Sequence, residues 1–202
     1  MAARAPFWAG PFVLPVLAMA AVVALSNFAV QYPIQAFGLA DYLTWGALTY
    51  PVAFLVNDLT NRRFGPATTR KVVYVGFAIA VVLSIALASP RIALASGTAF
   101  VVGQLLDISV FNWLRRKTWW RAPLAGSLLG SAFDTIIFFS LAFAGDVAMS
   151  GPVAFGAFSV PLWTSLAFFD FWVKVAMALV LLLPYGALMN WVRPFETAHT
   201  TR

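Results

Sequence analysis

Residues 122–144 read APLAGSLLGSAFDTIIFFSLAFA, a stretch whose single charge is Asp134. At about 1.5 Å of rise per residue, a helix of this length crosses a hydrocarbon layer of about 30 Å. Outward from it, further intervals carry no charge at all: Ala5 to Ala40, Val72 to Pro90, Ile92 to Leu106, Val147 to Phe169 and Val175 to Val192. Marking out runs of roughly 20 mostly apolar residues predicts six spans, at about 12–31, 43–61, 72–88, 92–113, 122–144 and 164–190. The expected fold is therefore all-α: a polytopic membrane protein with six transmembrane helices in one integral domain over 1–202. The spans use well over half the chain and leave no room for a second, soluble domain.

Composition excludes an ordinary water-soluble enzyme. Of 202 residues 62% are hydrophobic and 10% charged, where a soluble domain has about 25% charged residues. A bilayer can solvate that much apolar surface; a core of this size cannot hide it. A net charge of +6 would suggest nucleic acid in a soluble protein, but the basic residues are short connectors between apolar runs. With the amino terminus in the cytoplasm, the inner segments hold Arg4, Arg62, Arg63, Arg70, Lys71, Arg115, Arg116, Lys117, Arg121, Arg193 and Arg202, and the outer loops hold only Arg91. This bias places both termini in the cytoplasm and explains the charge without a nucleic-acid partner. Arg4 and the apolar run after it resemble a secretion signal superficially. That run is too long, and it ends at Ser26-Asn27-Phe28 without a small-residue cleavage pattern.

Trp8, Tyr32, Tyr42, Trp45, Tyr74, Trp113, Trp119, Trp120, Trp163, Tyr185 and Trp191 lie near predicted span ends, where amphipathic rings favour the headgroup layer. Tyr50 and Trp172 lie within spans. Ala20-x-x-x-Ala24 and Gly126-x-x-x-Gly130 have the spacing that lets helix backbones approach closely.

The informative residues are ionisable groups inside apolar runs. A charge at the centre of a span costs about 2.5–3.5 kcal/mol on insertion scales, so Asp107, Asp134, Asp170 and Lys174 are expected to face the bundle interior or a polar cavity. Asp170 and Lys174 are four residues apart and share a helix face, where they can neutralise each other. Gln104 and Asp107 share a stripe with Phe100 and Phe111, and Ser127, Ser131 and Asp134 align in the same way. Such a set suits a flat heterocycle: carboxylates accept from ring N–H groups, an amide offers donor and acceptor, and rings stack. Interhelical hydrogen bonding that only holds the bundle together has the same spacing. Pro51 frees a backbone carbonyl inside its helix. Asp58, four residues before Arg62, is expected to form an interfacial ion pair with it.

Catalytic chemistry has little to work with. The only histidine, His199, lies beyond the last span, and there is no cysteine, so no His-based triad, metal cluster or thiolate nucleophile is expected within the bundle. There is no Gly-rich phosphate loop and no paired-aspartate protease motif. No enzyme activity, cofactor or metal is expected.

Thr49-Tyr50-Pro51 through Asp58-Leu59-Thr60 and Arg63-Phe64-Gly65, then Gly103-Gln104-Leu105-Leu106-Asp107 with Val110-Phe111-Asn112, resemble the queuosine precursor transporter group of the vitamin uptake transporter family. Trp119-Trp120, Ser127, Asp134-Thr135, Phe138-Phe139, Asp170-Phe171 with Lys174, and Pro184-Tyr185-Gly186 continue the resemblance, which runs from about residue 45 to 190. It implies import of 7-deazaguanine bases, the cyano and aminomethyl precursors of queuosine, across the bacterial inner membrane for tRNA modification. A guanine-like edge offers adjacent N–H donors that one carboxylate can accept together. On this reading Tyr50, Gln104, Asp107, Phe111, Asp134, Asp170 and Lys174 form the substrate site: Asp107 or Asp134 takes the edge, Gln104 meets the ring oxygen, and Tyr50 or Phe111 stacks.

The alternative is the substrate-binding subunit of an energy-coupling-factor vitamin transporter, of similar length and six helices, for which Ala20-x-x-x-Ala24 would serve docking. A third class is an assembly protein whose buried charges only orient helices. The expected partners are a small nucleobase and the lipid bilayer, with homo-oligomerisation and a coupling module left open.

Overall fold

In lipid a backbone N–H or C=O has no water to bond, so each apolar stretch must close its own hydrogen bonds as helix. The computed structural model describes residues 12–29, 32, 34–36, 43–87, 89–155, 157–192 and 194. The features expected at Arg4, Trp8, Tyr42, Arg193, His199 and Arg202 lie outside these residues, as do both termini. The elements in chain order are α1 (Val13–Ala29), α2 (Trp45–Thr49), α3 (Val52–Leu87), α4 (Pro90–Leu114), α5 (Arg121–Phe143), β1 (Pro152–Phe155), β2 (Phe158–Pro161) and α6 (Leu162–Leu188). Four helices among the described residues, Trp45–Leu83, Pro90–Leu114, Arg121–Phe143 and Leu162–Leu188, are long and apolar enough to cross a membrane, and α1 is a shorter apolar helix. The chain is thus a helical, multi-pass membrane protein.

The first of the four joins two stretches expected as separate spans. The join is not helical: Gly65 sits at φ 77°, ψ 174°, a region open essentially to glycine alone, and Pro66 follows. Proline has no N–H to leave unbonded at a helix start, and the Thr69 hydroxyl donates to the Gly65 carbonyl at 2.8 Å. Gly65 therefore divides α3 into two helical halves within the basic segment Arg62 to Lys71. At its other end, Pro51 separates α2 from α3, and Tyr50 occupies the turn between them.

The core forms where α1, both halves of α3 and α4 meet, with Met19, Val23, Ala53, Val72, Val73, Phe100 and Ile108 buried together. Helix α4 packs most extensively against α5. Glycines make that approach possible. A Cβ on Gly130 would sit 2.6 Å from the Phe54 ring and 2.8 Å from the Gly103 carbonyl oxygen, and one on Gly126 would collide with the Asp107 carboxylate. The Gly126-x-x-x-Gly130 spacing thus marks a real contact, whereas Ala24 of the other small-residue pair is exposed.

Helix α6 buries only Ser165, Lys174, Ala178 and Tyr185 and turns Phe168, Phe169, Trp172, Leu179, Val180 and Leu183 outward. Trp172 is therefore on the lipid-facing side. Tyr185 departs from expectation: it is 2% exposed and packs with Phe111 and Ala122, so it is a core residue and not a headgroup anchor. The segment between α5 and α6, which carried little signal, contains an antiparallel hairpin with Pro152 opposite Pro161 and Phe155 opposite Phe158. Gly151 and Met149 offer carbonyls to the first amides of α6, at Leu162 and Trp163. Arg91 reaches the carbonyls of Leu141 and Ala144 at 2.8 and 2.6 Å, closing the exposed end of α5 with positive charge where its dipole is negative.

Candidate functional site

Three helices converge on one lysine. Asp170 and Lys174 lie one turn apart on α6, Asp134 and Thr135 project from α5, and the turn before Pro51 presents Tyr50. The Lys174 ammonium pairs with Asp134 Oδ2 at 2.7 Å and Asp170 Oδ2 at 2.5 Å, and donates to Thr135 Oγ1 at 3.0 Å. Thr135 in turn donates to Asp170 Oδ2 at 2.8 Å, and the Tyr50 hydroxyl donates to Asp134 Oδ1 at 2.7 Å. Lys174 also lies 5.4 Å from the centre of the Tyr50 ring, within cation–π range. Each charged group here has an ionic or hydrogen-bonding partner inside the protein, the condition under which buried ions are tolerated. With all three groups ionised, the set keeps one excess negative charge.

This network borders a cavity of about 370 Å³. Tyr50, Asp134, Asp170 and Lys174 supply its polar wall, while Phe100, Phe138, Phe139 and Phe143 supply aromatic surface. The cavity lies at the end of the bundle where α1 finishes, α2, α4 and α6 begin and α5 finishes. Asp170 keeps 17% of its side chain accessible against 5% for Asp134, so it is the carboxylate most open to a ligand. The Asp134 oxygens are both engaged by neighbouring helices, yet open space adjoins them. A concave, mostly apolar chamber with a few convergent polar groups is the usual form of a small-molecule site.

The sequence profile of the family described as "Putative vitamin uptake transporter" matches residues 44–89 and 82–189, a stretch that includes the whole Tyr50–Asp134–Asp170–Lys174 network. The chain belongs to the vitamin uptake transporter family. Among curated relatives, a protein of Haemophilus influenzae named "Probable queuosine precursor transporter" is 36% identical over 84% of this chain and 82% of its own length. The "Queuosine precursor transporter" of Escherichia coli K12 is 35% identical over 93% of this chain and 87% of its own. A Bacillus subtilis relative named "Probable queuosine precursor transporter" is 26% identical over 80% of this chain and 76% of its own. No solved structure is significantly similar to the chain.

In this vitamin uptake transporter, four of the seven expected site residues thus meet at the cavity: Tyr50, Asp134, Asp170 and Lys174. Gln104, Asp107 and Phe111 do not line it. They lie deeper, on the same buried stripe of α4. The amide nitrogen of Asn57 donates to Asp107 Oδ2 at 2.6 Å and to the Gln104 carbonyl at 3.2 Å. Phe111 packs beneath the Arg115 guanidinium, 5.7 Å from its ring centre. Around them several buried polar atoms have no hydrogen-bond partner among the described residues: Asn57 Oδ1, Asp58 Oδ1, Asp107 Oδ1 and both ends of the Gln104 amide.

Asp58 corrects an expectation. It forms no ion pair with Arg62, whose Nε donates instead to the Val192 carbonyl at 3.2 Å. The Asp58 side chain turns inward and is buried. Its side chain borders a small space lined by Ser127 and Ser131 of α5 and Lys174 and Tyr185 of α6, while the Arg62 guanidinium extends to the Val192 carbonyl.

Sequence reasoning also missed part of the cavity. Ser26 and Asn27 of α1 and Ser96 of α4 line it, and Ser26 Oγ is buried without a hydrogen-bond partner among the described residues. The signal was present in Ser26-Asn27, the polar pair inside an otherwise uncharged apolar run, but nothing local shows that the end of α1 borders the same cavity as the α5–α6 network.

Proposed function

We propose that this protein imports 7-deazaguanine bases, precursors of queuosine, across the bacterial inner membrane. The observation that carries the reading is the Tyr50–Asp134–Asp170–Lys174 network on the wall of a cavity of base-sized dimensions, in a chain of this family. The relatives' names supply the substrate class. Asp170, the accessible carboxylate, accepts the adjacent N–H groups of the guanine-like edge; Lys174 holds it in place; Tyr50 with Phe100 or Phe138 covers a ring face; and Ser26 meets a polar edge from α1.

In the same reading the chain crosses the membrane six times with both termini in the cytoplasm. Helix α3 supports this: its 36 residues would extend about 54 Å as one rod, nearly twice the hydrocarbon thickness, and the break at Gly65 divides that length into two spans. The cavity then opens toward the outer face, on the side of Arg91 and the hairpin. Gln104, Asp107 and Phe111 lie on the inner side of the bound base. The protein has no catalytic role.

The test is uptake of labelled 7-deazaguanine base by cells that cannot synthesise it, with this protein expressed alone. Saturable accumulation in wild type, lost in Asp170→Asn, is the expected result. Uptake only in the presence of a partner ATPase would favour the substrate-binding subunit of an energy-coupling-factor transporter. Purified protein that binds no deazaguanine base would overturn both.

A further inference from the structure

A second, much smaller chamber adjoins the first. It holds about 10 Å³, at the lower limit for a single water, and is lined by Asp58, Ser127, Ser131, Lys174 and Tyr185 among apolar neighbours. Lys174 is common to both chambers, with Asp134 and Asp170 on one side and Asp58 on the other. The small chamber therefore continues the polar interior from the base cavity toward the end of the bundle that carries the arginines.

Asp58 is the group in it that the rest of the structure leaves unexplained. It is 2% exposed, its Oδ1 has no hydrogen-bond partner, and it is in no salt bridge among the described residues. A lone ionised carboxylate in such a place carries a desolvation penalty of several kcal/mol, so a proton is the cheapest partner available to it. The groups around it are consistent with one that comes and goes. Asp107 on α4 is close enough to act on it electrostatically and also has a partnerless oxygen. From α5 come the hydroxyls of Ser127 and Ser131, from α6 Lys174 and Tyr185, and from the next turn of α3 Arg62, which with Arg115 acts on Tyr185. Asp58 and the hydroxyl side chains Ser127, Ser131 and Tyr185 line the water-sized space, and a carboxylate so placed can accept a proton from the cavity side and release it toward the aqueous arginine rim.

We propose that Asp58 is a proton-binding carboxylate on the inner side of the base cavity, linked to it through the water-sized chamber shared with Lys174, and that base import is coupled to proton entry at this residue. The inference rests on the transporter reading above. In each cycle one proton from the outer cavity protonates Asp58 and is released to the inner solution, while the base itself is unchanged.

The test uses the purified full chain in liposomes containing a pH-sensitive dye, with labelled 7-cyano-7-deazaguanine, which has no ionisable amine to carry a proton itself. The expected wild-type result is internal acidification on adding base, and faster initial uptake when the outside is one pH unit more acidic, a gradient of about 1.4 kcal/mol per proton. Asp58→Asn is expected to bind the base with a Kd within about threefold of wild type, a difference under about 0.7 kcal/mol, but to show neither acidification nor stimulation by the gradient. Asp58→Glu is expected to restore both. Wild-type uptake without proton movement, uptake driven only by a sodium gradient, full coupling in Asp58→Asn, or loss of base binding in that variant would overturn the proposal. The first three leave base transport standing; absence of both uptake and binding in wild type would remove the transporter reading itself.

Discussion

The bundle contains two buried polar clusters, and they are built on opposite terms. Around Lys174 every ionic group has a partner: two carboxylates share one ammonium, and the Tyr50 and Thr135 hydroxyls each donate to one of them. Around Asn57, Asp58, Gln104 and Asp107, oxygens outnumber the donors that reach them. Burying either set is costly, and the first recovers the cost through close pairing while the second does not. A saturated network is rigid and suited to holding a flat base in one orientation. An unsaturated one is suited to a partner that arrives and leaves.

The strongest way to break this contrast is Lys174→Ala. It leaves Asp134 and Asp170 facing each other without their cation, and removing one partner of a buried pair costs about 3–5 kcal/mol. Thermal unfolding in detergent should fall steeply and base uptake should disappear; near-wild-type stability would mean that the network is not paired as described. Asp134→Asn is milder, because one carboxylate remains for Lys174. Losing a charge-assisted hydrogen bond costs about 1.5–3 kcal/mol, so stability in the same unfolding assay should fall by that amount, and a fall as large as that of Lys174→Ala would mean that Asp170 does not hold the lysine. Gln104→Leu probes the other cluster with the opposite sign. Replacing an amide that is buried and unpartnered at both ends should raise stability by about 1–2 kcal/mol in the same unfolding assay. A loss instead would reveal a partner that satisfies it. The smallest effect belongs to Tyr50→Phe, which removes one hydroxyl donor from Asp134 and keeps the ring. It should cost about 1 kcal/mol and slow uptake roughly fivefold at limiting base.

Much of the site was legible in the sequence because a charge inside an apolar run has few physical excuses. Asp134, Asp170 and Lys174 were found on that ground, and the four-residue spacing of the last two predicted their pairing. Their union with Tyr50 was not legible: it joins residues separated by 84 and 40 positions across three helices. Nor was the separation of Asp107 from Asp134. Both are buried aspartates on adjacent helices, and spacing alone treats them alike. Gly126 and Gly130 draw α4 and α5 so close that Asp107 is confined against backbone, while Asp134, further along α5, reaches open space.

Hydrophobic run length and the scarcity of charge determined by themselves that this chain is a helical membrane protein, because a bilayer admits little else. The same scarcity marked which few residues had to face inward. Which of those residues border a cavity, which share a cation and which are left without a partner depended on helix phase and on how closely two backbones approach, and those quantities exist only once the helices have packed.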